Sequence, residues 1–118
     1  MNLFLDTSAF AKRYVAEQGS EQVLALCQEA DALFVSVICL PELISTLSRL
    51  VREKSLSRAA YRKLKADAVG DLADADIVQI TPEVLASVVS LLESHPLRAM
   101  DALHVACALA CEANAFVS

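Results

Sequence analysis

The 118 residues amount to one domain, and apolar residues at 56% against charged residues at 21% exclude a disordered chain. Two Gly and three Pro exclude collagen-like and low-complexity sequence, while aromatics at 5% with no Trp argue against a base-stacking nucleic-acid platform. A net charge of −5, from 10 Lys plus Arg and 15 Asp plus Glu, does not suit a general nucleic-acid coat protein, but it suits an enzyme that gathers carboxylates around a cation.

Residues 2–5 are a short apolar run ending at Asp6, read as a buried strand. Thr7 or Ser8 is the expected N-cap of a helix running to about Val15. Gly19-Ser20 restarts a helix with Val23, Leu24 and Cys27 on one face, and Leu33-Phe34-Val35-Ser36 is a second strand. Pro41 suits the first turn of a helix over 40–53 whose Leu43, Ile44, Leu47, Leu50 and Val51 keep helical period. Ser57 caps a further helix with Tyr61, Leu64, Ala68 and Leu72 as its apolar stripe. Ile77–Ile80 is a third strand. Thr81-Pro82-Glu83 then opens a helix as cap, first-position proline and first-turn acid, with Val84, Leu85, Val88, Leu91 and Leu92 facing inward. After the loop 95–98, a helix from about Met100 to Ala113 is apolar nearly all round and belongs in the core, and residues 115–118 form a fourth strand. Strands alternating with helices predict an α/β fold, a largely parallel four-stranded sheet covered on both faces, with no internal repeat or domain boundary.

The first six residues carry no basic leader, and no stretch of eighteen apolar residues exists, so neither a signal peptide nor a membrane span is expected. Cys27, Cys39, Cys107 and Cys111 fall inside apolar periodic segments, which favours reduced, buried thiols in a cytoplasmic protein.

Ligands of a parallel α/β sheet bind beyond the carboxyl ends of its strands, the edge to which helix N-termini return. Asp6 ends the first strand, Glu42 lies in the first turn of one helix, and Asp101 in the first turn of another. The helix dipole alone accounts for an acid at either helix start; an acid directly after a buried strand has no such explanation. Gathered carboxylates repel one another unless protons or a cation intervene. Hard oxygen ligands select Mg²⁺ or Mn²⁺, and such an ion can activate water against a phosphodiester.

Asp6-Thr7-Ser8 after the first strand, Pro41-Glu42-Leu43 opening a helix, and the run from Arg98 through Asp101-Ala102-Leu103-His104 to Ala106 together resemble the PIN domain family, in particular VapC-type toxins of toxin–antitoxin pairs. The resemblance spans nearly the whole chain in order and spacing. It implies a three-layer fold and a Mg²⁺-dependent endoribonuclease, Mn²⁺ being the alternative ion. Asp6 and Asp101 would be metal ligands, and Glu42 would complete the acidic cluster. Thr7 or Ser8 would orient a water or the scissile phosphate, and Arg13 and Arg98 are candidate phosphate contacts, each equally explicable as a surface residue. Products would carry a 5′-phosphate and a 3′-hydroxyl. The implied partners are an RNA substrate, a cognate antitoxin and a second copy in a homodimer.

Family members usually carry a further Asp shortly after the fourth strand, then a last strand. The sequence ends at Ser118 before such an acid, so three carboxylates of an expected four and a missing fifth strand are anticipated. The alternative function is thus a catalytically inactive module that binds RNA or antitoxin.

Seven of the ten basic residues lie between Arg49 and Lys65, with Arg58, Arg62 and Lys65 on one helix face. They suit an RNA-backbone track or, more blandly, a solvated surface. His104, Cys107 and Cys111 at i, i+3, i+7 offer a soft-metal site only if a fourth ligand exists, and buried structural thiols are the expected reading.

Overall fold

A computed structural model describes residues Met1–Ser118. Its elements run β1 (Asn2–Leu5), α1 (Thr7–Ala11), α2 (Ser20–Glu29), β2 (Ala32–Ser36), α3 (Cys39–Arg52), α4 (Arg58–Ala73), β3 (Asp76–Val78), α5 (Pro82–Ser94), α6 (Ala99–Ala110) and β4 (Ala115–Val117). The strands form one sheet in the order β3-β2-β1-β4, and every pairing is parallel. The α/β expectation of four strands holds, with the sheet wholly rather than largely parallel.

Parallel strands bury both faces, so alternate side chains enter different layers. Leu5 and Val35 join Ala9, Phe10, Cys39, Leu43, Leu47 and Ala68 in a core built with α1, α3 and α4. Phe4 points to the opposite layer and packs with Val84, Val88, Ala102, Ala106 and Cys107 of α5 and α6. The sheet is thus sandwiched between helices, in three layers. No helix is long and apolar enough to cross a membrane.

Several boundaries differ from the sequence expectation. Asp6, not Thr7 or Ser8, caps α1: its carboxylate accepts from the Ala9 amide, which outcompetes a hydroxyl because the acceptor is charged. Regular α1 stops at Ala11, and the chain continues to Val15 in turns. The predicted inner face of α5 is narrower than its hydropathy suggests. Val84 and Val88 are buried, but Leu85 and Leu92 are 51% and 38% exposed. This helix lies on the outside against α6, so only the residues one turn apart on that side are covered. The same limit applies to α6, where Met100 and Leu109 are exposed rather than in the core. Ser57 and Thr81 cap α4 and α5 as expected, accepting from the amides of Ala60 and Val84.

Candidate active site

The order β3-β2-β1-β4 contains a reversal: the chain moves outward from β1 through β2 to β3, then returns to the other side of β1 as β4. Such a switch point opens a crevice at the carboxyl ends of the strands. Asp6 leaves β1 at this point. Its amide donates to the Val117 carbonyl of β4 at 3.1 Å, and its Oδ2 accepts from the Ser118 hydroxyl at 2.7 Å. Its Oδ1 accepts from the Ser8 hydroxyl at 2.8 Å and the Ala9 amide at 2.9 Å. The carboxylate is therefore fixed by a helix start on one side and a neighbouring strand end on the other.

Glu42 comes from the first turn of α3, and its side chain is 28% exposed. Its Oε1 accepts from the Thr7 hydroxyl at 2.5 Å and from His104 Nε2 at 2.6 Å. His104 lies three residues beyond Asp101 on α6 and is 3% exposed, with its ring edge against Phe4. A carboxylate can only accept, so the contact sets the imidazole proton on Nε2. Nδ1 is left buried without a partner, a cost that marks the Glu42 contact as the one this histidine is built around.

Asp6, Thr7, Ser8, Glu42, Asp101 and His104 line one cleft of about 620 Å³, together with Glu17, Arg49 and several side chains of α1 and α3. The three acids separated in sequence are thereby brought to one cavity, Asp101 as its exposed member. The two arginines expected to contact phosphate are not part of its lining. Arg13 is engaged elsewhere in the fold. Its guanidinium pairs with Asp71 of α4 at 3.3 Å and lies over the rings of Phe10 and Tyr14 at 5.6 and 5.8 Å. A cation held by a carboxylate and two aromatic faces is committed to joining α1 to α4. Arg98 is exposed at the N-cap of α6. Thr7 and Ser8 do reach the cleft, but their hydroxyl protons are given to Glu42 and Asp6, so both brace the acids.

Two cleft residues, His104 and Glu17, were absent from the expected acidic set, as was Ser118, which bonds Asp6 without lining the cleft. His104 is announced by its spacing from Asp101, which places both on one helix face. Ser118 depends on pairing between β1 and β4, and Glu17 on a turn after α1; neither has a periodic signal. His104, Cys107 and Cys111 diverge instead of forming a soft-metal site. The histidine meets Glu42, Cys107 packs in the α5–α6 core, and Cys111 donates to the Ala108 carbonyl of its own helix. Burial raises all four thiols, Cys39 from 9.0 to about 12.

Apart from His104, the donors around the cleft are carboxylate and hydroxyl oxygens, a set that suits a hard divalent cation. No three Asp, Glu, His or Cys side chains converge closely enough to hold one ion in this arrangement. Donor type fits such an ion, while two of the acids, Asp6 and Glu42, are engaged in hydrogen bonds with neighbouring side chains.

With a sheet reversal and acids after β1 and at the starts of α3 and α6 around one cleft, comparison with known proteins gives one family. The PIN domain model matches residues 3–118, and the chain belongs to that family. Ribonuclease VapC45 of Mycobacterium tuberculosis (strain CDC 1551 / Oshkosh) is 32% identical over 108 residues, covering 92% of this chain and 75% of the relative, which makes this a VapC-like member. Among solved structures, M. tuberculosis VapC20, described as a sarcin–ricin loop cleaving toxin, superposes with a TM-score of 0.73 at 16% identity, over 97% of this chain and 86% of that one. A toxin–antitoxin complex from Klebsiella pneumoniae gives 0.71 at 16% identity, over 96% and 82%. At that identity the two structures speak for the fold.

Proposed function

We propose that this chain is the toxin of a type II toxin–antitoxin pair, a divalent-metal-dependent endoribonuclease acting as a single unit over residues 1–118. The carrying observation is the cleft at the β1/β4 switch point, lined by Asp6, Glu42 and Asp101 from three elements distant in sequence. Asp6 and Asp101 would hold Mg²⁺ or Mn²⁺, with Glu42 joining directly or through water. The ion, when bound, supplies Lewis acidity toward a phosphodiester and lowers the pKa of nearby water.

The chain's own residues supply order. Ser8 and Ser118 fix the two oxygens of Asp6, while Thr7 and His104 fix one oxygen of Glu42 and leave the other for the cleft. A water oxygen forms the new bond to phosphorus, a carboxylate accepts its proton, and the P–O3′ bond breaks. The departing 3′ oxygen takes a proton, leaving a 3′-hydroxyl and a 5′-phosphate. Arg98, exposed at the mouth of α6, is a phosphate contact in this reading. In this reading the protein works in the cytoplasm as a homodimer, held inactive by its antitoxin; the similarity to VapC ribonucleases and to a toxin–antitoxin complex supports the toxin class and the antitoxin partner.

Asp6→Asn and Asp101→Asn each test it on labelled single-stranded RNA with Mg²⁺ or Mn²⁺. Cleavage by the parent chain should fall by at least about 10³-fold in either variant, the scale of lost charge stabilisation at a reacting phosphate, while thermal melting stays close to the parent. Loss of fold in both variants would instead make the acids structural. One observation favours a second reading, a module that binds RNA or antitoxin without cutting: no three side chains converge on an ion position. Metal-dependent cleavage by the pure parent chain removes it.

A further inference from the structure

On the side of α3 next to the cleft, Ser48, Val51 and Arg52 meet Arg58, Tyr61 and Arg62 of α4 in a groove of about 340 Å³. We infer that this groove is a second phosphate-binding surface, which holds the backbone of the RNA strand as it leaves the cleft. The inference rests on the ribonuclease reading above for the identity of the strand, and on separate residues for the site.

Three arginines in one groove are unusual in a chain whose net charge is −5. Between Arg49 and Lys65 the only acid is Glu53. The two acids of α4 are already engaged: Asp67 pairs with Lys63 at 2.9 Å, and Asp71 takes Arg13 and the Tyr14 hydroxyl. Arg52, Arg58 and Arg62 enter no ion pair and are exposed. They are uncompensated cations concentrated on one face, and the planar fork of each guanidinium matches phosphate. Tyr61 and Ser48 add hydroxyls beside them.

Continuity with the cleft identifies the occupant. Arg49 lines the acidic cleft and Arg52 lines the groove. The two are about 4.5 Å apart along the α3 axis, of the same order as the rise of about 3.4 Å per charge along one strand of a duplex. A polyanion cut in the cleft meets Arg49, then Arg52, then the Arg58–Arg62 pair one turn apart on α4. A regular chain of negative charges fits this row; no apolar lining is present to anchor a peptide's hydrophobic side chains beyond Val51 and Tyr61.

The test is binding of a fluorescent single-stranded RNA to the full chain as salt is varied, with EDTA to stop cleavage, for the parent and for the triple variant Arg52→Gln, Arg58→Gln, Arg62→Gln. Each phosphate contact contributes about 0.7 to the slope of log K on log salt for a single strand. The slope should therefore become shallower by about 2, with at least a tenfold loss of affinity at low salt. If the triple variant melts, the three single variants replace it, each lowering the slope by about 0.7. Unchanged slope and affinity would overturn the inference. So would a variant that keeps RNA binding but no longer binds an acidic peptide held by the parent, which would assign the groove to protein. Failure of the parent to cleave RNA with metal would count against the ribonuclease reading alone, because the slope difference is measured without cleavage.

Discussion

Glu42 is held by donors from two other elements, the Thr7 hydroxyl of α1 and the His104 imidazole of α6. His104 is therefore a positioning residue: it acts through Glu42 and fixes which carboxylate oxygen is free. Removing such an outer partner typically costs about 10–100-fold in activity or metal affinity. His104→Ala should lower kcat for RNA cleavage within that range while KM changes little, and His104→Gln, which can still donate to Glu42, should recover part of the loss. Equal loss in both variants would mean the imidazole itself is needed. The neighbouring role of Asp6 explains why Asn is its informative replacement. The amide oxygen of Asn still accepts from the Ala9 amide, so the α1 cap survives and only charge is lost, whereas Ala would also cost about 1 kcal/mol of cap.

At the level of elements, two short links, α3 to α4 and α6 to β4, concentrate backbone strain at one position each. Lys54 after α3 and Glu112 after α6 both adopt positive φ, 60° and 54°. A side chain in that region costs about 1 kcal/mol or more relative to Gly. Glu112→Gly should therefore raise stability by up to about 1 kcal/mol, read as a higher denaturant midpoint at unchanged slope; a lower midpoint would show that the Glu112 side chain contributes more than its backbone costs. The elements themselves were largely legible. Thr81-Pro82-Glu83 and Ser57 mark helix starts by chemistry that acts within four residues, and α3 is written in its Leu43, Leu47 and Leu50 spacing. The outer faces of α5 and α6 were not legible, since hydropathy at Leu85, Leu92 and Leu109 reports transfer preference and says nothing about whether a neighbour is present. Within the site, Asp6, Glu42 and Asp101 followed from one rule about strand ends and helix starts. Arg13 did not follow, because its partner Asp71 lies 58 residues away, and no local spacing encodes that meeting.

For the whole molecule, the thiols couple stability to alkaline pH. Cys39 is fully buried, and desolvation raises its thiol from 9.0 to about 12. Tyr14 is raised as well, by burial and by its hydrogen bond to Asp71. The folded chain then keeps protons that the unfolded chain has released, so unfolding is favoured as pH rises. Stability is complete below about pH 9 and is lost progressively toward pH 12, where the folded thiol ionises. Thermal melting between pH 8 and 11 should show this decline, and Cys39→Ala should flatten it relative to its own value at pH 8. An equal decline in the variant would assign the effect to Tyr14 and the other thiols.

The strand β1 pairs with β2 on one side and β4 on the other, and sends Phe4 and Leu5 into opposite cores. Local opening begins where few contacts must be surrendered, at helix first turns and sheet edges, and reaches such a central strand last. Asp6 is tethered to the part of the molecule that opens only with global unfolding, whereas Glu42 and Asp101 ride on helix starts. The cleft therefore has one wall anchored at the centre of the sheet and two built on helix starts. On the proposed reading of the cleft, a substrate would meet in Asp6 the carboxylate anchored most deeply in the fold, with Glu42 and Asp101 presented to it from the helix starts around.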